Sequence, residues 1–161
     1  MAFVPCEMTL SSPAFAPGGR IPARHTGEGE DVSPPLRWEN APEGTKAFAV
    51  FCHDPDAPLI SPNGSYGFAH WVLYNIPADV TELPEGVQRF TLGTDDTEGP
   101  GYNGPMPPEG HGVHRYYFWV IALGEEELHL PEGLTMWQML ERIEPYAIGM
   151  SRLVGTYERG L

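Results

Sequence analysis

The sequence predicts a mainly β protein, a β-sandwich with Greek-key connections and one or two short peripheral helices, formed as a single domain over residues 1–161. Three observations carry that expectation. Several apolar, β-rich runs are separated by long irregular connections. The chain holds 19 Gly and 18 Pro with no fixed period, which argues for many turns. At 161 residues it has room for one core, since separate cores usually appear in longer chains.

The first 45 residues are rich in turn formers, with Pro13, Pro17-Gly18-Gly19, Pro22, Gly27, Gly29, Pro34-Pro35 and Pro42, so any strands there are short. Asp31 to Trp38 reads as an ordered loop. Lys46–His53 and Phe68–Ile76 are apolar on both faces and read as central strands. Val113–Leu123 supplies a third strand and Arg152–Tyr157 a fourth. One helix is signalled: Thr135 caps it with Gln138 three residues on, Met136, Met139, Leu140 and Ile143 recur at helical spacing, and Pro145 stops it. Its stripe should pack on a sheet.

Nine basic and 22 acidic residues give a net charge of −13, which repels a phosphate backbone and excludes nucleic acid as a partner. The N-terminal residues show no basic region, long apolar run or cleavage signature, and no stretch reaches membrane-spanning length, so a cytoplasmic location without a membrane span is expected. Cys6 and Cys52 make no disulfide framework, and Cys52 reads as a small buried hydrophobe.

The stretch Gly101–Phe118 concentrates the chemistry, because a rigid loop of Pro and Gly runs directly into a strand headed by His114. Alternation puts His114 and Tyr116 on one face, and it puts His70 on the face of Val72 and Tyr74. In His53-Asp-Pro-Asp-Ala-Pro58 two prolines hold Asp54 and Asp56 at a strand end, where each could equally bind nearby amides in a turn. A lone His70 would be a satisfied core group. Together, Asp54, His70, His114 and Tyr116 suit a small oxyanion: imidazoles and a phenol donate, a carboxylate orients one ring, and the proline loop excludes water. Covalent chemistry is poorly served, with no nucleophile elbow, no Gly-x-x-x-x-Gly-Lys loop and no His-Glu-x-x-His pattern. Asp54, His70 and His114 could bind zinc in principle, but no short-spaced ligand pair supports a metal. A hydrolase or lyase with a histidine general base oriented by Asp54 is the alternative from another class.

The strings Asp54-Pro-Asp-Ala-Pro58, His70-Trp-Val-Leu-Tyr-Asn-Ile-Pro77, Gly101-Tyr-x-Gly-Pro-x-Pro-Pro108 and His114-Arg-Tyr-x-Phe118 closely resemble the phosphatidylethanolamine-binding protein family, which includes the Raf kinase inhibitor proteins, in its bacterial branch. The resemblance extends through Ile21-Pro22, Ser33-Pro-Pro-Leu-x-Trp38 and Gly155-Thr-Tyr-x-Arg159. It implies a pocket for phosphoryl groups and other small anions such as phosphate, phosphorylated headgroups and acetate-like carboxylates, lined by Asp54, His70, Pro107, Pro108, His114 and Tyr116. Supporting positions would be Asp56, Pro58, Tyr102, Gly104, Arg115 and Tyr146, with Ala57–Pro58 a candidate cis bond. No cofactor or metal is implied. A kinase or protease partner and a homodimer are implied, and the acidic run Glu125–Glu127 is a candidate contact face, although solvated charge explains it as well. Two departures stand out: bacterial relatives usually carry His near the position of Tyr146, and Met106 stands where Cys is frequent.

Overall fold

The computed structural model describes residues 6–58, 66–124 and 128–160. Two antiparallel sheets are present. The smaller contains β1 (Thr9–Ser11), β2 (Leu36–Glu39) and β5 (Glu82–Leu83) in the order β1-β2-β5. The larger contains β3 (Ala47–Asp54), β4 (Phe68–Pro77), β6 (Thr91–Leu92), β7 (His114–Leu123) and β8 (Ala147–Tyr157) in the order β6-β4-β3-β7-β8. After the β3–β4 hairpin the chain makes a long excursion and returns as β7 on the other edge of β3, the Greek-key type of return. The acidic run at 125–127 lies outside the described residues.

Burial explains the layering. Leu10, Leu36, Trp38 and Leu83 of the small sheet close on Phe48, Val50, Trp71, Leu73, Phe118, Val120 and Leu153 of the large one. Alternation on β2 is strict, with Leu36 and Trp38 buried and Arg37 and Glu39 exposed. This corrects the loop expected at 31–38: the prolines at 34 and 35 precede the strand rather than prevent it, so neither has to donate to the ladders that Leu36–Glu39 makes with β1 and β5. The other face of the large sheet carries Ala49, Phe51, Val72, Tyr74 and Ile121, covered by α1 (Met136–Ile143) through Met136, Met139 and Ile143. The Thr135 hydroxyl accepts the Gln138 amide at 3.1 Å and the Gln138 side chain accepts the Thr135 amide at 3.0 Å, the expected capping box. Pro145 follows in a 3-10 turn, Glu144–Tyr146. β8 is longer than expected because Ala147–Ser151 continue the pairing with β7.

β4 departs from alternation in a way that matters for function. Cys52 pairs with Trp71 but His53 pairs with Ala69, so His70 is an extra residue without a partner across the strand. A bulge of this kind re-aims a side chain. Ala69, Val72 and Tyr74 pack on the helix side, whereas His70 stands against Tyr116 with ring centroids 5.2 Å apart. The sequence expectation that His70 shares the face of Val72 and Tyr74 is therefore corrected by one inserted position.

Candidate functional site

A cavity of about 240 Å³ opens at the end of the large sheet where β3 finishes and β7 begins. Asp54, His70, His114 and Tyr116 line it from the sheet, and Asn103, Gly104, Met106, Pro107 and Pro108 line it from the proline loop. The four sheet residues are 2%, 6%, 3% and 1% exposed, so their polar atoms have little access to bulk water and must be satisfied locally or by a ligand.

Asp54 is the centre of a linear chain of hydrogen bonds. The Asp56 amide donates to Asp54 Oδ1 at 2.7 Å, and Asp54 Oδ2 lies 2.7 Å from His114 Nδ1. Asp56 is held in turn by Arg115, whose backbone amide, Nε and Nη2 donate to its carboxylate at 2.8, 3.1 and 2.8 Å. The Arg115 guanidinium keeps the Asp56 carboxyl below the usual carboxylate range. The Asp-Pro-Asp turn is closed by these bonds, and no cis peptide bond occurs among the described residues, so Ala57–Pro58 is trans, in accord with the ordinary preference of X–Pro bonds.

At the far end of the chain, His114 Nε2 lies 2.8 Å from Nδ1 of His111, an exposed residue in the turn before β7. His111 was not singled out by sequence. Its signal was the pair of flanking glycines and the three-residue offset from His114, which reads as turn composition until the fold is known. No group of three or more His, Cys, Asp or Glu side chains among the described residues is arranged to hold a metal ion.

His70 is fixed differently. Its Nδ1 donates to the Asn103 carbonyl at 2.6 Å, the Asn103 amide donates back to the His70 carbonyl at 2.9 Å, and Phe68 packs 4.7 Å from its ring. This tautomer leaves Nε2 for the cavity. Burial pushes the His70 pKa below the usual imidazole value, against the opposing pull of the Asn103 carbonyl and Asp54. Because the folded pKa lies below the unfolded value of about 6.5, the unfolded chain takes up the proton first as pH falls. This contribution to stability is complete above about pH 6.5 and is lost as pH falls toward the folded pKa. The urea midpoint is expected to drop between pH 7 and pH 5, and to drop less in His70→Gln.

Burial, with Asp54 next in size, pushes the Tyr116 hydroxyl far above its ordinary pKa, so it is a neutral donor throughout the physiological range. Its ring lies 6.4 Å from that of His114, on the shared face that alternation predicts.

The loop wall is pinned from behind. Tyr102 Oη donates to the His25 carbonyl at 2.6 Å and its ring meets Trp71 edge-on at 5.6 Å. The Gly104 amide donates to Asp31 Oδ1 at 2.8 Å, the Gly27 amide donates to the Pro105 carbonyl at 2.9 Å, and Arg159 Nη1 donates to the Pro107 carbonyl at 3.3 Å. A Cβ on Gly104 would lie 2.4 Å from the His25 carbonyl oxygen, so this position requires glycine by close approach.

Tyr146 is not brought to the cavity, contrary to its expected supporting place. It precedes Ala147, which pairs with Leu123, whereas the cavity lies where His114 pairs with Tyr157, at the opposite end of the same hairpin. Sequence position near the C-terminal strand could not reveal which end of that strand it marks. Pro58 follows the turn and is exposed, outside the lining.

Residues 11–158 match the phosphatidylethanolamine-binding protein family. The chain is 41% identical over 160 residues to a "UPF0098 protein" of Methanothermobacter thermautotrophicus, covering 95% of this chain and all of that one. It is 39% identical over 158 residues to a "UPF0098 protein" of Aquifex aeolicus, covering 94% of this chain and 89% of that one. Among solved structures it superimposes on a putative phosphatidylethanolamine-binding protein homolog, CT736, from Chlamydia trachomatis, with a TM-score of 0.85 and 36% identity over 94% of this chain and 97% of that one. It matches the E. coli protein YbcL, described as a new member of the mammalian family, with a TM-score of 0.85 and 32% identity over 94% of this chain and 98% of that one. With a family match across nearly its whole length and relatives of this similarity, the chain belongs to the phosphatidylethanolamine-binding protein family.

Proposed function

We propose that the cavity binds one small oxyanion, a phosphoryl or carboxylate headgroup. The observation that carries this reading is the convergence of two buried imidazoles and a buried phenol on one water-poor cavity. Tyr116 donates through its hydroxyl. His70, with Nδ1–H committed to Asn103, meets the ligand through Nε2, which either accepts a proton carried by a phosphoryl hydroxyl or takes up a proton as the anion arrives. Asp54 lies close by, but both of its oxygens accept hydrogen bonds from Asp56 and His114, which offsets its repulsion of the ligand. The net charge of −13 opposes anion approach from a distance, so affinity depends on these few local donors.

Titration with inorganic phosphate at pH 7, followed by histidine ring NMR signals, is expected to shift the His70 and His114 signals saturably at millimolar concentration. His70→Ala is expected to weaken binding by roughly tenfold or more, since hydrogen bonds to charged groups contribute about 1.5–3 kcal/mol. Unmoved His70 and His114 signals would sink the proposal.

The general-base reading draws on the Asp54–His114 pair, whose geometry resembles a carboxylate-oriented imidazole. It is the second reading because the sequence supplies no nucleophile elbow beside the pair.

A further inference from the structure

We infer that His111 is an affinity-determining residue of the anion site, an internal competitor that occupies the ligand-binding nitrogen of His114 and is displaced when an oxyanion enters. The inference rests on the anion-binding reading above.

His114 has two ring nitrogens and both are taken. Nδ1 is committed to buried Asp54 at 2.7 Å, an interaction that fixes the ring and cannot be exchanged without exposing a carboxylate to an apolar interior. Nε2 is therefore the only nitrogen that a ligand oxygen could reach, and His111 Nδ1 lies 2.8 Å from it. With its Nδ1–H given to Asp54, His114 presents Nε2 as the acceptor of the His111 Nδ1–H, so an oxyanion can bind at that nitrogen only when His111 has left and Nε2 has taken up a proton, carried in by the ligand or drawn from solvent.

The two partners differ in how firmly they are held. His114 is buried at the head of β7, inside the ladder with β8. His111 is exposed and sits in the turn Pro108–Gly112, where its amide donates to the Pro108 carbonyl at 3.1 Å. The glycines on both sides of it, Gly110 and Gly112, have φ of 72° and 88°, and a Cβ on Gly112 would meet nothing within 4 Å. The His111 side chain can thus swing into solvent while β7 and Asp54 stay in place. Its ring centroid is 5.0 Å from that of His114, so the swing vacates space beside Nε2 as well as the nitrogen itself.

A competitor and a contributor make opposite demands on affinity. If His111 must leave, its removal strengthens binding, because the contact broken on ligand entry no longer exists. If His111 donates its own N–H to the ligand, its removal weakens binding.

The experiment is calorimetric titration of inorganic phosphate into the wild-type chain, His111→Ala and His111→Ser at pH 7, with His ring NMR signals recorded in parallel. Both variants are expected to bind about fivefold more tightly, the value of one neutral hydrogen bond. In the wild type, the His111 ring signals should move at saturation to the positions of a solvent-exposed imidazole. Retained His70 ring shifts in the free variants establish that the site is folded. Equal or weaker binding by both variants, with phosphate still bound, overturns the competitor role and leaves the anion reading intact. Absence of phosphate binding in all three proteins overturns the anion reading and this inference with it.

Discussion

Replacing Asp54 by Ala is expected to lower stability by about 3 kcal/mol and to abolish phosphate binding, the largest single loss available at the site. The carboxylate is 2% exposed and accepts from two groups that would be left behind, the Asp56 amide and His114 Nδ1. Neither has another acceptor close by in the hydrogen-bond chain, so the cost combines a lost buried interaction with the desolvation penalty of orphaned donors. In a protein of this length the thermal midpoint should fall by about 6–12 °C. Binding disappears because the His114 ring is no longer anchored and the turn carrying Asp56 loses its closing bond. Asp54→Asn separates the two consequences: the amide keeps its volume and one acceptor oxygen, so it satisfies one donor but not both. A midpoint between those of the wild type and Asp54→Ala, with binding still strongly reduced, is the expected result. Circular dichroism melts together with phosphate titration measure both, and an unchanged midpoint in Asp54→Ala would contradict the account.

Gly104→Ala is expected to cost about 2–3 kcal/mol and to weaken phosphate binding by tenfold or more, even though it deletes no side chain. Its added methyl would lie 2.4 Å from the His25 carbonyl oxygen and 2.5 Å from Asp31 Oδ1. The His25 oxygen is a backbone atom and cannot yield by rotating a side chain, so the loop itself must move. Movement breaks the Gly104 amide bond to Asp31, which is held with φ of 58° and has little freedom to follow. The adjacent Asn103 carbonyl then shifts from His70 Nδ1, and the tautomer that presents Nε2 to the cavity is no longer enforced. The prediction is checked by a melting curve and by the His70 ring signals, which should broaden or shift in the free variant. Unchanged His70 signals would mean that the wall is not what positions the ring.

The long strands were legible because burial on both faces forces continuous apolar runs, as in Ala47–Asp54 and Phe68–Pro77. The helix was legible because its cap and its stripe are local. The small sheet was less so. Leu36–Glu39 is four residues long and follows two prolines, and its identity as a strand depends on β1 and β5 pairing from distant parts of the chain. The site divides in the same way. Residue types and order proposed Asp54, His70, His114 and Tyr116 as a group, and all four line one cavity. The orientation of His70 was misread because a period of two holds only while register is unbroken, and no residue in His70-Trp-Val-Leu announces an insertion. His111 was passed over because a histidine between two glycines looks like a turn until its neighbour is known.

The antiparallel return that places β7 beside β3 has a kinetic consequence. Ala47 pairs with Leu123 and His53 with Tyr117, so the central ladder joins segments that are far apart along the chain. Folds with such high contact order close their loops before contacts repay the entropy, and they fold slowly, on the scale of milliseconds to seconds. The β3–β4 hairpin can form early from local sequence, but it carries only Asp54 and His70. His114 and Tyr116 belong to β7 and join them only when it pairs with β3. The cavity is complete only once β7 is paired with β3, and a chain halted before that pairing has the ingredients of the site without the site.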